Sequence, residues 1–421
     1  MRYTFTLCLI FILVGGFGGP LFSSSSALAQ SLAQEQSERD DSGPSLKKSP
    51  KKRASESRTE HRGEEEVGDV VRVDTTLVAC DVLVLDKQGR FVPQLAQHDF
   101  VVTEDEKPQE VTTFALGNDI RRPRSIVLII DYSRSMLAYI NTSIEAAKVL
   151  VDKLNPEDRM AIVTDDVAVL VDFTRDKEKL ESKLESLRKK ATSGDHFGRS
   201  AQYSALMDTL QRLSLHEELR PIIIFQTDGD ELPLLRQPAA ADGPPPWPTN
   251  FKPPVRKDFS IADVFVSAEK SRATIYTVIP GIRFIGFTPS ERLERARIML
   301  EREVAARSQL RPQMAERWRA FLKEGIPPEM LERTGEMGLW LQTALMGVSR
   351  MTGGWADFLE KPEEAAAVYS RIFSDINERY IIGYQPTNKA RDGTRRKVHI
   401  EVRGHPEYRV WGRNSYYAPS Q

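Results

Sequence analysis

Residues 127–136 read VLIIDYSRSM, an apolar run that stops at Asp131 and continues with Ser133 and Ser135 at alternate positions. The run reads as a buried strand with Asp131 at its carboxyl end. In an open α/β sheet, ligands bind outside the carboxyl ends of the strands. A turn at that place can aim the oxygens of residues i, i+2 and i+4 toward one point. One carboxylate and two hydroxyls make a hard, weakly charged site with room for water, which suits Mg2+ or Mn2+ better than a dedicated Ca2+ cage. The same side chains also suit an ordinary helix cap, so the stretch alone leaves both uses open.

The neighbouring sequence supplies the sheet. From Arg124 to about Asn377, the apolar runs MAIVTDD, VAVLVDF, PIIIFQTD, ATIYTVIP and GWADFL alternate with amphipathic helical segments. That alternation indicates an α/β fold, a doubly wound and mostly parallel sheet. The first helix is expected to carry Ile144, Ala147, Val151 and Leu154 on one face, behind a Thr142-x-x-Glu145 capping box. Leu180, Leu184 and Leu187 stripe the second helix and read as core.

Two more loops bring oxygen ligands to the same edge. FQTDGDE puts Thr227 and Asp228 after the strand PIIIF, and GRSAQYSAL puts Ser200 at the start of a helix. Asp165, Asp166, Asp195, His196 and Asp230 lie near this edge along the chain and read as supporting or solvent-facing residues. His196 is the one histidine near the motifs, which argues against a zinc site.

The α/β domain is expected over 122–378. Flanking segments at 68–118 and 379–421 are rich in β-formers on a period near two, and are expected to pack together as a smaller antiparallel β domain. Residues 30–67 have almost no large apolar side chains and read as a charged, disordered linker. Residues 1–29 hold one early Arg, an apolar core and Ala27-Leu28-Ala29, the pattern of a secretory signal cleaved after Ala29. Cleavage would leave Cys80 as the only cysteine, so packing and not an internal disulfide must stabilise the mature chain. Lys+Arg (59) and Asp+Glu (60) nearly cancel, so no global charge points to nucleic acid and recognition falls to local sites.

Two long insertions follow strands of the sheet, at about 231–258 and 282–335. The first is proline-rich around Trp247. The second opens with TPSE (288–291), a capping box with Pro at the first helical position. A later helix in it places Met314, Trp318 and Phe321 or Leu322 on one side. Both insertions are expected on the metal-bearing face, walling the site.

The three loops in this order resemble the von Willebrand factor type A domain and its metal-ion-dependent adhesion site. The segments VVRVDTTLVACDVLVLDKQGRFVPQLAQHDFVVTEDEKPQEVTTF, LNPEDRMAIV, VLVDFTRD, LMGVSRMTGG, YIIGYQPTN and DGTRRKVHIEVRG are similar to an exported bacterial VWFA-related family, over roughly residues 68–418. The resemblance makes Asp131, Ser133 and Ser135 the first-loop ligands. Ser200 takes the place of the motif's usual Thr and keeps its hydroxyl, and Asp228 matches the acid of the T-D-G loop. Arg199 stands where a small Gly is common; its cation would either weaken the metal or grip a partner's acid. In such domains one coordination position stays open and takes a carboxylate from the partner. The resemblance therefore implies a bound Mg2+ (or Mn2+ or Ca2+) and a protein or peptide ligand.

These features describe an exported, secreted or periplasmic, non-enzymatic binding module, with a linker that allows association with an envelope. A metal-assisted hydrolase or phosphotransferase would want a second acid close to Asp131 for the metal and the proton. Serines hold those positions, and no G-x-S-x-G elbow, P-loop or H-E-x-x-H occurs. A structural envelope protein with an empty metal site is the remaining class, and metal dependence separates it from the binding module.

Overall fold

The computed structural model describes residues 77–116, 124–194, 197–213, 221–236 and 257–420. The expected signal, the 30–67 linker, Asp195, His196 and most of the first insertion with Trp247 lie outside the described residues. The chain begins with β1 (Val78–Leu85), β2 (Phe100–Glu104), β3 (Lys107–Gln109) and β4 (Val111–Leu116). The α/β unit follows as β5 (Ser125–Ile130), α1 (Ile140–Asp152), β6 (Arg159–Thr164), β7 (Ala168–Thr174), α2 (Lys177–Ser193), α3 (Gln202–Leu213) and β8 (Pro221–Gln226). It continues through α4 (Ile261–Lys270), β9 (Thr274–Pro280), α5 (Pro289–Leu310), α6 (Pro312–Glu324), α7 (Pro328–Met351), β10 (Ala356–Leu359) and α8 (Ala365–Asn377). The chain closes with β11 (Tyr380–Tyr384), β12 (Arg395–Val402), β13 (Arg409–Gly412) and β14 (Ser415–Tyr417).

The central six-stranded sheet has the order β10-β9-β8-β5-β6-β7. Its pairs are parallel except β6 with β7. Every residue of β5 and of β8 is buried, which explains why both read as unbroken apolar runs. Alternate β5 side chains serve opposite cores. Ile126, Leu128 and Ile130 pack with α1, α2 and α8, whereas Val127 and Ile129 pack with α3, α4 and α7. The chain builds β6 on one side of β5 and then crosses to place β8 on the other. That reversal opens a crevice between the carboxyl ends of β5 and β8, where α/β sheets hold ligands. The doubly wound α/β fold expected from the sequence is thus observed.

One helix start differs from expectation. α1 begins at Ile140, with Tyr139 as the capping residue and no side-chain cap, so Thr142 and Glu145 lie inside the helix and form no capping box. A short 3-10 turn, Arg134–Ala138, runs directly into the helix, and the Ser143 amide already bonds the Tyr139 carbonyl at 2.8 Å. Backbone continuity from the turn supplies what a side-chain cap would have done. Leu154 falls beyond the last helical residue, yet it is buried in the same core.

The flanking segments make two further antiparallel sheets, β13-β1-β11-β4 and β14-β12-β2-β3. Each mixes strands from before and after the α/β unit. β12 alternates exposed and buried positions throughout, and its Val398, Ile400 and Val402 meet Val82, Val84, Phe100 and Ile382 in one core. Buried Arg379 joins this unit to the α/β unit. It donates to the Gly353 carbonyl (2.6 Å), the Asp375 carboxylate (2.9 Å) and the Asp81 carbonyl (3.2 Å).

The second insertion forms α5, α6 and the start of α7. Thr288 and Glu291 cap α5 reciprocally, with Pro289 at the first position, as the TPSE motif predicts. Ala296 and Leu300 of α5 pack with Met136 and Tyr139 from the turn after β5. Met314, Trp318, Phe321 and Leu322 of α6 are half-buried. Among the described residues, no helix is long and apolar enough to cross a membrane.

Candidate metal centre

Asp131 follows β5 directly and is 1% exposed. Its Oδ1 accepts the Ser133 amide at 2.8 Å, a local turn that short carboxylates favour. The turn brings the Ser133 and Ser135 hydroxyls to 2.9 Å from one another. From the end of β8, the Thr227 hydroxyl donates to Asp131 Oδ2 at 2.7 Å. Gly229 then takes a left-handed φ of +79°, and the Asp230 amide bonds Asp228 Oδ1 at 3.1 Å. Glycine suits that position because an L side chain there would meet its own carbonyl.

The third loop leads into α3. Ser200 has φ +51°; its amide donates to Asp165 Oδ2 at 2.9 Å and its hydroxyl to Asp230 Oδ2 at 3.1 Å. A Cβ at Gly198 would stand 2.0 Å from an Asp165 oxygen, so this approach needs glycine. Asp165 also accepts the Tyr132 amide at 3.1 Å and so ties the first loop to the third. Gln202 bridges all three loops. Its Nε2 donates to Asp131 Oδ2 (2.7 Å) and to Asp230 Oδ1, and its Oε1 accepts the Glu231 amide (3.2 Å). Glu231 is buried under the first turn of α3, where it accepts the Tyr203 and Ser204 amides at 2.6 and 3.1 Å.

The result is a concentrated negative charge. Asp131, Asp228 and Asp230 each offer a carboxylate oxygen, and these oxygens lie within 4.8 Å of one another. Burial, reinforced by the Asp230 charge, pushes the Asp131 carboxyl up to about 6. Burial, then the charges of Asp230 and Asp131, raise Asp228, and burial raises Asp230. Hydrogen bonds from the Ser135 hydroxyl oppose the rise at both. Asp165 is raised well above the usual carboxylate range by burial and then by Asp131. Charge repulsion of this kind is relieved either by protons or by a cation. The donors are all hard oxygens, with neither histidine nor cysteine in the cluster, a set that fits Mg2+, Mn2+ or Ca2+ and not zinc.

The structure therefore brings together Asp131, Ser133, Ser135 and Asp228. Ser200 reaches the cluster through Asp230. Asp230, read from sequence as a supporting residue, stands among the carboxylates themselves, and Asp165 and Gln202 are the braces. Sequence carried a signal for one of these: Asp230 lies two residues beyond Asp228.

Residues 126–231 match the family model described as von Willebrand factor type A domain. No curated protein matches the chain. Among solved structures, the von Willebrand factor type A protein from Catenulispora acidiphila is 10% identical, with 82% of this chain and 74% of that one covered and a TM-score of 0.34. The vWF domain of the type V pili tip protein Mfa5 from Porphyromonas gingivalis is 13% identical, covering 61% and 95%, with a TM-score of 0.33. Manganese-loaded TRAP protein from Plasmodium vivax is 13% identical, covering 76% and 100%, with a TM-score of 0.30. At such scores these likenesses add nothing to the strand order and the family match. The cluster residues from Asp131 to Asp230 all fall within the matched stretch, and that stretch belongs to the von Willebrand factor type A domain family.

Proposed function

We propose that this chain is an exported, non-enzymatic module that binds an acidic side chain of a protein or peptide through a divalent cation. Asp131, Ser133 and Ser135 would hold the ion from the first loop, with Asp228, Asp230 and Ser200 around it and Mg2+ as the expected occupant. The observation that carries this reading is that two loops bring three carboxylates within 4.8 Å of one another beside a pair of serine hydroxyls, with Ser200 of a third loop bonded to Asp230. A bound cation would offset the repulsion recorded in the raised carboxyl groups and present a Lewis-acidic face to a partner's carboxylate. Asp131 is poorly suited to nucleophilic chemistry, because the Ser133 amide, Thr227 and Gln202 already engage both of its oxygens. Export rests on the signal-like residues 1–29, and envelope association on the charged segment that follows.

Thermal unfolding of the mature chain in EDTA, then in Mg2+, Mn2+ or Ca2+, tests the metal. A ligand at about 100 times its dissociation constant adds about 2.7 kcal/mol to the state that binds it, a rise of about 5–10 °C for a domain of this size. The rise should be absent in Asp131→Ala. A wild-type protein indifferent to every ion would sink the reading.

One observation favours a second reading. Gln202 donates to both Asp131 and Asp230, so hydrogen bonds alone can hold the cluster together in a purely structural envelope protein. Indifference to cations would leave this reading in place.

A further inference from the structure

We propose that Gln202 makes this centre select Mg2+ over Ca2+, by holding acceptor positions on two of its carboxylates that the larger cation would need. The inference rests on the metal-dependent reading above and names the residue that sets which ion is taken. Gln202 opens α3 and is fully buried. Its side chain is fixed from both ends. Oε1 accepts the Glu231 amide at 3.2 Å, which turns the NH2 group toward the carboxylates, where an oxygen would be repelled. Nε2 then directs its two hydrogens to Asp131 Oδ2, at 2.7 Å, and to Asp230 Oδ1. The backbone that follows is held as well, because Glu231 accepts the Tyr203 and Ser204 amides and the Ser204 hydroxyl at 2.6, 3.1 and 2.6 Å.

A carboxylate offers about four acceptor positions, two on each oxygen. At Asp131, Oδ2 is full: Gln202 takes one position and the Thr227 hydroxyl, at 2.7 Å, takes the other. Oδ1 already accepts the Ser133 amide at 2.8 Å and has one position left. Asp131 can therefore meet a cation through one oxygen and not through both. At Asp230, Gln202 engages Oδ1 and the Ser200 hydroxyl engages Oδ2 at 3.1 Å. Asp228 carries the Asp230 amide on its Oδ1 at 3.1 Å.

The two ions differ in what they ask of such a set. Ca2+ gathers about six to eight oxygens at about 2.3–2.6 Å and readily takes both oxygens of one carboxylate. Mg2+ takes about six at about 2.0–2.1 Å, keeps several waters, and is held by one or two carboxylates. With Oδ2 of Asp131 full, the first loop supplies the second pattern and not the first. Ser133 and Ser135 add neutral hydroxyls but no further carboxylate oxygen.

Isothermal titration calorimetry of the protein with Mg2+ and with Ca2+ tests the selection through the ratio of the two dissociation constants. The wild type should bind Mg2+ the more tightly. Gln202→Met keeps the helix preference and approximate length of the side chain but has no N–H to donate, and so reopens Oδ2 of Asp131. The ratio should shift about tenfold toward Ca2+, the lower end of the range for losing a partner of a metal ligand. Thr227→Val frees the other position on the same oxygen and should shift the ratio in the same direction. It supplies the measurement if the glutamine variant does not fold.

A wild type that prefers Ca2+ would overturn the proposal. So would a ratio left unchanged by the substitution, including equal weakening of both ions, which is what a merely structural brace would give. If the wild type binds no ion at all, the metal-dependent reading itself fails and the selection with it, so the two failures are distinct.

Discussion

At Asp131 folding and the proposed binding of a cation make opposite demands. The side chain is buried beside other carboxylates, and its pKa rises from 3.8 to about 6. A carboxyl whose folded pKa exceeds its unfolded value holds its proton more tightly when folded. Its contribution to stability is complete below about pH 4 and is lost as pH rises through about 6. The difference corresponds to about 3 kcal/mol, and Asp228 and Asp165 shift in the same direction. Metal-free protein should therefore lose stability between pH 4 and pH 7 relative to Asp131→Asn, which lacks the titrating group. Saturating Mg2+ should remove most of that loss. Urea midpoints across this range check it, and parallel curves for the two proteins would contradict it.

Among the elements, α5 has the clearest link between packing and the site. Its cap needs only Thr288 and Glu291, but its position depends on Ala296 and Leu300 meeting Met136 and Tyr139. Leu300 is 6% exposed, so Leu300→Ala should cost about 2–5 kcal/mol, the range for a buried leucine whose site does not collapse. Because Met136 lies one residue past Ser135, hydrogen exchange at residues 134–139 should quicken in the variant, and its Mg2+ affinity should fall. Unchanged exchange there would show that α5 is decoration and does not brace the turn after β5.

For the whole molecule, Arg379 decides whether the two units act as one. Its guanidinium is buried among Asp375, the Gly353 carbonyl and the Asp81 carbonyl. Asp375 also accepts the Trp355 indole at 2.9 Å. Arg379→Ala would leave the Asp375 charge buried without its main partner, a change that typically costs about 3–5 kcal/mol. Calorimetry should then resolve two unfolding transitions, one for each unit, where the wild type gives one. A single transition shifted only slightly would mean that the other links suffice, among them Arg413, which donates to the Glu269 and Ala273 carbonyls at 2.6 and 2.9 Å, and Arg395, which pairs with the Glu269 carboxylate at 2.7 Å.

The sequence by itself determined the period and the order of the elements. Unbroken apolar runs such as residues 126–130 and 222–225, too short for a helix and rich in β-branched residues, read as strands covered on both faces, and the Asp131, Ser133 and Ser135 triplet puts oxygen side chains at the end of the first of them. The Thr288 and Glu291 cap was legible for the same reason, since its partners lie three residues apart. What needed the tertiary structure is everything set by contacts between distant segments. Asp230 enters the cluster because the β8 turn folds over the start of α3. Gln202 and Asp165 matter because three loops meet there, and Met136 and Tyr139 are covered only because α5 lies on the turn after β5. The 3-10 turn that replaced the expected cap at Thr142 belongs to this class too. Local propensity and periodicity are properties of neighbours along the chain, whereas charge crowding and bracing are properties of neighbours in space.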